Sequence, residues 1–194
     1  LIIGSLMLIL TIINGFTNSY IDPSYQRAQI LAALASISLM VVSAILTEIN
    51  PLDKQKAKLI GTEGIFISEN LEDSFRNELA WGSKMLLTAT AASTILVYYD
   101  NTVILKRGII SNNLFEPKGI CKQTTKNNKL LSLVNTKFYP GKDEFNPIVN
   151  DLPSVIIYPL STRGWIIVGG WKERCFTKAD EKWIEGWGEK ILSY

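Results

Sequence analysis

Two uncharged apolar stretches open the chain, and beyond them the apolar positions fall into shorter, mixed periods. Leu1 to Phe16 (LIIGSLMLILTIINGF) and Ala28 to Thr47 (AQILAALASISLMVVSAILT) carry no charge, and only Asp22 and Arg27 are charged among the first 47 residues. The second run is 20 residues long; as a helix it spans about 30 Å, the thickness of a bilayer's hydrocarbon core. Its apolar residues follow no single stripe, as expected of a helix surrounded by lipid or protein. Ala32, Ala33, Ala35, Ser36 and Ser38 let a neighbouring helix approach closely. The first run predicts that neighbour, and Asn18, Asp22 and Pro23 between the two suit a turn. Residues 1–50 are therefore expected to form a transmembrane helix hairpin. A signal peptide competes for the first run, but a second span follows at once without a convincing cleavage pattern. The chain begins with Leu inside an apolar run, so the native N-terminus is expected upstream.

Residues 51–60 read as a linker. Lys54, Lys56 and Lys58 crowd into it, whereas Arg27 in the loop between the helices is offset by Asp22. By the positive-inside rule the part that follows faces the cytoplasm or stroma.

From residue 61 to 194 helical and alternating periods intermix. Leu71, Phe75, Leu79, Gly82, Met85 and Leu86 recur at three-to-four spacing, which predicts a helix over 71–89 with Asn70 as its cap and Asp73 three residues on. Thr94–Tyr99 and Thr102–Lys106 flank Asp100-Asn101 as a hairpin. The stretch 111–151 is polar and broken by Pro117, Pro140 and Pro147; it predicts loops, a short helix near Cys121 and a strand over Leu130–Val134. Strands at Val155–Leu160 and Trp165–Gly169 pair across the turn Ser161-Thr162-Arg163-Gly164. Thr177 then caps a last helix, with Asp180 in the box position and Trp183, Ile184, Trp187 and Ile191 as its buried stripe. This order predicts an α+β domain, an antiparallel sheet with helices against one face.

Composition narrows the chemistry. Net charge is only +2, with no basic tract, so nucleic acid is not an expected partner. There is no histidine, which removes Ser-His-Asp and Cys-His catalysis, His-liganded zinc and His ligation of heme from this chain. Cys121 and Cys175 make no CxxC or CxxCH motif and are expected to be free thiols in a reducing compartment. No catalytic or metal-binding set is assigned.

The segment LPSVIIYPLSTRGWIIVGGWKERCFTKADEKWIEGW resembles the closing half of a GAF domain: a strand ending in Pro159-Leu160, Gly164 in the turn, a strand ending at Gly169, then Phe176-Thr177 to Asp180 opening the last helix. Over nearly the whole chain, the helix hairpin followed by ELAWGSKMLLTATAASTILVYYDNTVILKRG, KFYPGKDEF and GWIIVGGWKERCFTKADEKWIEGW resembles the CCB family of cyanobacteria and plastids, proteins of cofactor assembly of complex C. That resemblance implies a thylakoid membrane protein that assists maturation of the cytochrome b6f complex. The family helps attach, through a single thioether, the c-type heme on the cytoplasmic or stromal side of cytochrome b6. Implied partners are related membrane assembly subunits in a hetero-oligomer, apocytochrome b6 and membrane lipid. No cofactor is expected to be bound firmly, although heme could pass transiently, and the chain is expected to be a scaffold and not an enzyme. The alternative is a membrane-tethered GAF-like sensor of a small molecule.

Three residues are candidates for partner contact: Trp171, just past Gly169-Gly170, then Arg174 and Cys175. Cys175 reads either as a thiol activated by Arg174 and the helix N-terminus or as a small buried residue, and Cys121 allows the same two readings. Tyr139–Phe145 is expected to be a solvated turn. Glu78, beside the apolar face of its helix, is expected to pair with Lys84 or Arg107.

Overall fold

A computed structural model describes residues 2–17, 22–49 and 57–194. The chain divides into two compact units, Leu1–Lys54 and Gln55–Tyr194.

The first unit is two antiparallel helices, α1 (Ile2–Thr17) and α2 (Pro23–Ile49). Small residues set their approach: a Cβ at Gly4 would lie 2.5 Å from Met40 Cγ. At the other end Tyr25 donates to the Asn14 carbonyl at 3.0 Å. Ser36 is buried and returns its hydroxyl to the Ala32 carbonyl at 2.8 Å, so it brings no unpaired polar group into the seam. Within α2 the 23 residues Pro23–Ile45 are long and apolar enough to cross a membrane, whereas the apolar stretch of α1, Ile3–Thr17, is shorter. Outward-facing Leu6, Leu10, Ile30, Leu31 and Ile37 are all largely exposed, the inverse of a water-soluble helix pair.

The second unit is built on six antiparallel strands in the order β1-β3-β2-β6-β5-β4. They are β1 (Thr62–Ile67), β2 (Ala92–Tyr99), β3 (Thr102–Ile110), β4 (Leu131–Leu133), β5 (Ser154–Pro159) and β6 (Gly164–Gly170). The β2–β3 hairpin closes on Asp100 and Asn101, both at positive φ (46° and 63°), the backbone a two-residue turn needs and that Asn and Asp tolerate. Residue spacing does not predict β1; its polar Thr62-Glu63-Gly64 start hides the alternation.

Alternating strand residues feed two cores. Ile95, Val97, Ile156, Ile166 and Val168 face α3 (Asp73–Ala89) and α5 (Lys178–Leu192). Leu96, Val155, Ile157 and Ile167 face the excursion between β3 and β5, which holds α4 (Gly119–Asn127) and two short 3-10 turns. The expectation of helices on one face is therefore corrected: strands apolar on both sides must be covered on both. Fully burying each Ile or Leu contributes about 1.5–3 kcal/mol, so neither layer is dispensable.

Three further details differ from expectation. Helix α3 begins at Asp73 with Glu72 at the cap and no side-chain capping bond, so Asn70 is not the cap. Trp183 is 55% exposed; the buried positions of α5 are Asp180, Ile184, Trp187, Gly188 and Ile191. A strict four-residue repeat drifts off a 3.6-residue helix, which carries Trp183 to the edge. The Tyr139–Phe145 segment ends with Glu144 and Phe145 buried, not solvated. The capping box of α5 forms as expected, Thr177 N–H on Asp180 at 2.7 Å and Asp180 N–H on Thr177 Oγ1 at 3.2 Å.

Candidate functional site

The loop joining β6 to α5 holds the three candidate contact residues, and it is shaped by what lies beneath it. A side chain at Gly170 would collide with Cys175 Sγ and Ser154 Oγ and come within 2.9 Å of Phe176 Cε2. The chain can therefore fold back directly over the strand end only because that position is glycine. Ser154 donates to the Lys172 carbonyl at 2.8 Å and lies 3.3 Å from Cys175 Sγ. The thiol is 3.8 Å from the Ala91 carbonyl and 6% exposed. Cys175 thus sits under the loop as a packed plug between polar and apolar neighbours. The Thr177–Asp180 box meanwhile occupies the first backbone donors of α5. The sulfur's partners are a hydroxyl and a carbonyl, so the geometry is that of a structural thiol.

Arg174 adopts the left-handed region (φ 51°), an uncommon conformation for a long side chain. It is held there by its N–H donating to the Val134 carbonyl at 2.7 Å. Its side chain is exposed. Trp171 is half-buried; its N–H donates to the Ala91 carbonyl at 3.2 Å, and its carbonyl accepts from Ala57 N–H at 2.8 Å. Lys137 and Glu173 form an ion pair at 3.0 Å on the outside of the same loop. Candidate contacts close in sequence are thus split by the fold: Arg174 outward, Trp171 at the rim, Cys175 inward.

Cys121 lies on the opposite face of the sheet and is fully buried. Burial pushes its thiol far above the usual range, and hydrogen bonding to and repulsion by Glu144 add to the rise. Its carbonyl accepts from Trp165 Nε1 at 2.8 Å, which ties α4 to β6. Both cysteines are free. Among the described residues no three His, Cys, Asp or Glu side chains converge as a metal site would need.

Sequence reasoning misses the polar contacts that cross between elements. Glu78 is buried and pairs with Lys190 of α5 at 2.6 Å, not with Lys84 or Arg107. Arg107 instead donates to the Ala80 carbonyl at 2.6 Å and to Ser83 at 3.3 Å. Arg163 binds Asp100 through two nitrogens at 2.9 and 3.3 Å and lies 4.2 Å over the Tyr99 ring, clamping the two hairpin ends together. Open grooves of about 630 and 570 Å³ flank β4 and β3; neither contains Trp171, Arg174 or Cys175.

An antiparallel sheet between helical layers, preceded by an apolar helix pair and carrying no assembled catalytic set among the described residues, is the layout of an α+β scaffold domain. Residues 1–191 match the family model for cofactor assembly of complex C, CCB2/CCB4. The chain belongs to that family. Over 180 residues it is 26% identical to the chloroplastic cofactor assembly of complex C protein CCB4 of Arabidopsis thaliana, covering 87% of this chain and 61% of the relative. The chain therefore spans about three-fifths of that relative's length. Two solved structures have a similar chain path. One is the type II free methionine-R-sulfoxide reductase from Thermoplasma acidophilum, with TM-score 0.43, 15% identity, 60% of this chain and 93% of that one. The other is the GAF domain of cyanobacteriochrome TePixJ, with TM-score 0.45, 12% identity, 64% of this chain and 91% of that one.

Proposed function

We propose that this protein is a membrane-anchored assembly factor for the cytochrome b6f complex. It assists covalent attachment of the c-type heme to cytochrome b6, as a scaffold within a hetero-oligomer of related membrane proteins. The single observation that carries this reading is family membership over residues 1–191, which takes in the helix pair as well as the domain. The apolar length of α2 supports a membrane location. The relative's chloroplastic designation supports the thylakoid, and Lys54, Lys56 and Lys58 support a stromal or cytoplasmic domain.

The chain contains no histidine, so a heme passing across it takes any imidazole ligand from apocytochrome b6 or another assembly protein. This chain's own contribution is surface. The loop from Trp171 to Cys175 is the partner-contact segment, with Arg174 presented outward and Cys175 holding the loop's shape from beneath.

Deleting the gene and staining membranes for covalently bound heme tests the proposal. Cytochrome b6 is expected to lose its heme-dependent peroxidase signal while cytochrome f keeps its own. Retention of both signals at normal strength overturns it.

A further inference from the structure

The strand register sorts the domain's surface into two rims. Thr62, Ile110, Ala92, Gly170, Ser154 and Leu133 end their strands at one rim; the turns Asp100–Asn101 and Ser161–Gly164 form the other. The first rim gathers three segments, 57–60, 134–138 and 171–174, and they are bonded to one another. Ala57 N–H donates to the Trp171 carbonyl at 2.8 Å, Arg174 N–H to the Val134 carbonyl at 2.7 Å, and Lys137 pairs with Glu173 at 3.0 Å.

Two properties of this rim are unusual for a surface facing only water. Large apolar side chains stand out from it: Ile60 is 77% exposed, Val134 41% and Phe138 80%. Its charges are lopsided, with Lys58, Lys137, Lys172 and Arg174 against the one carboxylate of Glu173. The far rim has no such bias in its turns, where Arg163 and Asp100 neutralise each other.

The chain also limits where this rim can be. Helix α2 ends at Ile49, and the rim begins at Ala57; a link of that length reaches at most about 28 Å when fully extended. Any bilayer crossed by α2 thus stays within that distance of Trp171, to which Ala57 is hydrogen-bonded. Exposed Phe and Ile flanked by Lys and Arg are what an interface of apolar chains and anionic headgroups recognises.

We propose that this rim rests on the anionic headgroup surface of the membrane that anchors the chain, with Phe138 and Ile60 entering the interface and Lys58, Lys137 and Arg174 facing the phosphates. This rests on the membrane location proposed above, and it fixes which end of the domain faces lipid. A domain docked this way meets membrane-embedded partners at headgroup level instead of swinging on its linker.

The test uses the full chain reconstituted into vesicles of phosphatidylcholine alone or with phosphatidylglycerol. A polarity-sensitive fluorophore is attached at Phe138→Cys or, on the far rim, at the exposed Thr162→Cys; the native thiols are buried, and unlabelled wild type checks for background. At position 138 the emission is expected to shift to the blue on anionic vesicles only. Salt at 1 M, where the Debye length is about 3 Å, is expected to reverse the shift. Position 162 is expected to read as water on both. Water-like emission at 138, an equal shift on both lipids, or an equal shift at both positions overturns the proposal. Alkaline carbonate extraction of the same vesicles separates the two readings. Release of the chain overturns the membrane anchor itself, whereas retention with water-like emission at 138 overturns only the orientation.

Discussion

Glu144 shows how one residue organises a region that has little regular structure. Its carboxylate, 4% exposed, accepts N–H groups from Lys118 at 2.6 Å, Ile120 at 2.8 Å and Cys121 at 3.2 Å. These are the orphan donors at the start of α4, so a residue far along the chain does the work of a cap. Glu144→Ala leaves them buried without acceptors and is expected to cost about 3 kcal/mol, measured as a lower denaturant midpoint for the detergent-solubilised chain. Glu144→Gln keeps one acceptor oxygen and is expected to lose less; equal losses would deny the carboxylate its role. Cys121 beside it is held protonated by burial first and by Glu144 second. It is expected to resist alkylation in the native protein at neutral pH and to react only after denaturation. A different residue carries a pH signature. Hydrogen bonding to Arg163 is the largest cause holding Asp100 below the ordinary carboxylate range. A depressed folded pKa means that the clamp's contribution is complete above the ordinary aspartate value of about 4. It is lost only as pH falls through the lower folded value. A carbon-13 titration of Asp100 is expected to show a midpoint below that of an unpaired aspartate and to return to normal in Arg163→Ala.

At the level of elements, the seam between α3 and α5 decides how closely the two helices pack. Phe75 stacks on Tyr194 with ring centroids 5.2 Å apart, Glu78 meets Lys190, and Gly82 lies against the Trp187 indole, so the helices run antiparallel. A Cβ at Gly82 would strike Trp187 Nε1, and an indole packed in the core cannot bend aside as a lysine tip would. Gly82→Ala gains about 1 kcal/mol of helix propensity, but overpacking typically costs about 1–3 kcal/mol. The expected net is a small destabilisation with near-ultraviolet dichroism altered at the tryptophans, and a more stable variant would show that the seam has room to spare. The same seam shows what can be read without a structure. The apolar face of α3, the capping box of α5 and the β2–β3 and β5–β6 hairpins follow from local spacing, because their determinants lie close together along the chain. Glu78 with Lys190, Glu144 with α4 and Arg163 with Asp100 depend on which elements become neighbours, and no local period encodes that. Strand β1 is hidden for a related reason: an edge strand buries little, so its burial pattern does not alternate cleanly. Gly-Gly and a tryptophan mark the partner-contact loop, yet local sequence does not tell that Cys175 turns inward while Arg174 turns out.

For the whole molecule the question is whether α2 alone or both helices cross the bilayer. The 23 apolar residues of α2 cover about 34 Å, enough for a core of about 30 Å with modest tilt, whereas the 16 residues of α1 cover only about 24 Å. The antiparallel seam at Gly4 and Met40 nonetheless fixes the two side by side, and their outward faces are apolar along most of their length. A shorter helix can be accommodated by local thinning or by pairing with a longer neighbour at a modest cost. Asp22 before α2 and Thr162 in the domain mark the two sides that α2 would separate. In sealed vesicles a membrane-impermeant maleimide is expected to label Asp22→Cys from one side only and Thr162→Cys from the other only. Replacing Lys54, Lys56 and Lys58 together by Gln removes the positive flank and is expected to mix the two orientations, so that each site labels partly from both sides. Labelling of both sites from the same side in the unaltered chain would mean that α2 lies on the membrane or within protein instead of across it. The domain's lysines would then have to be explained by contacts with protein alone.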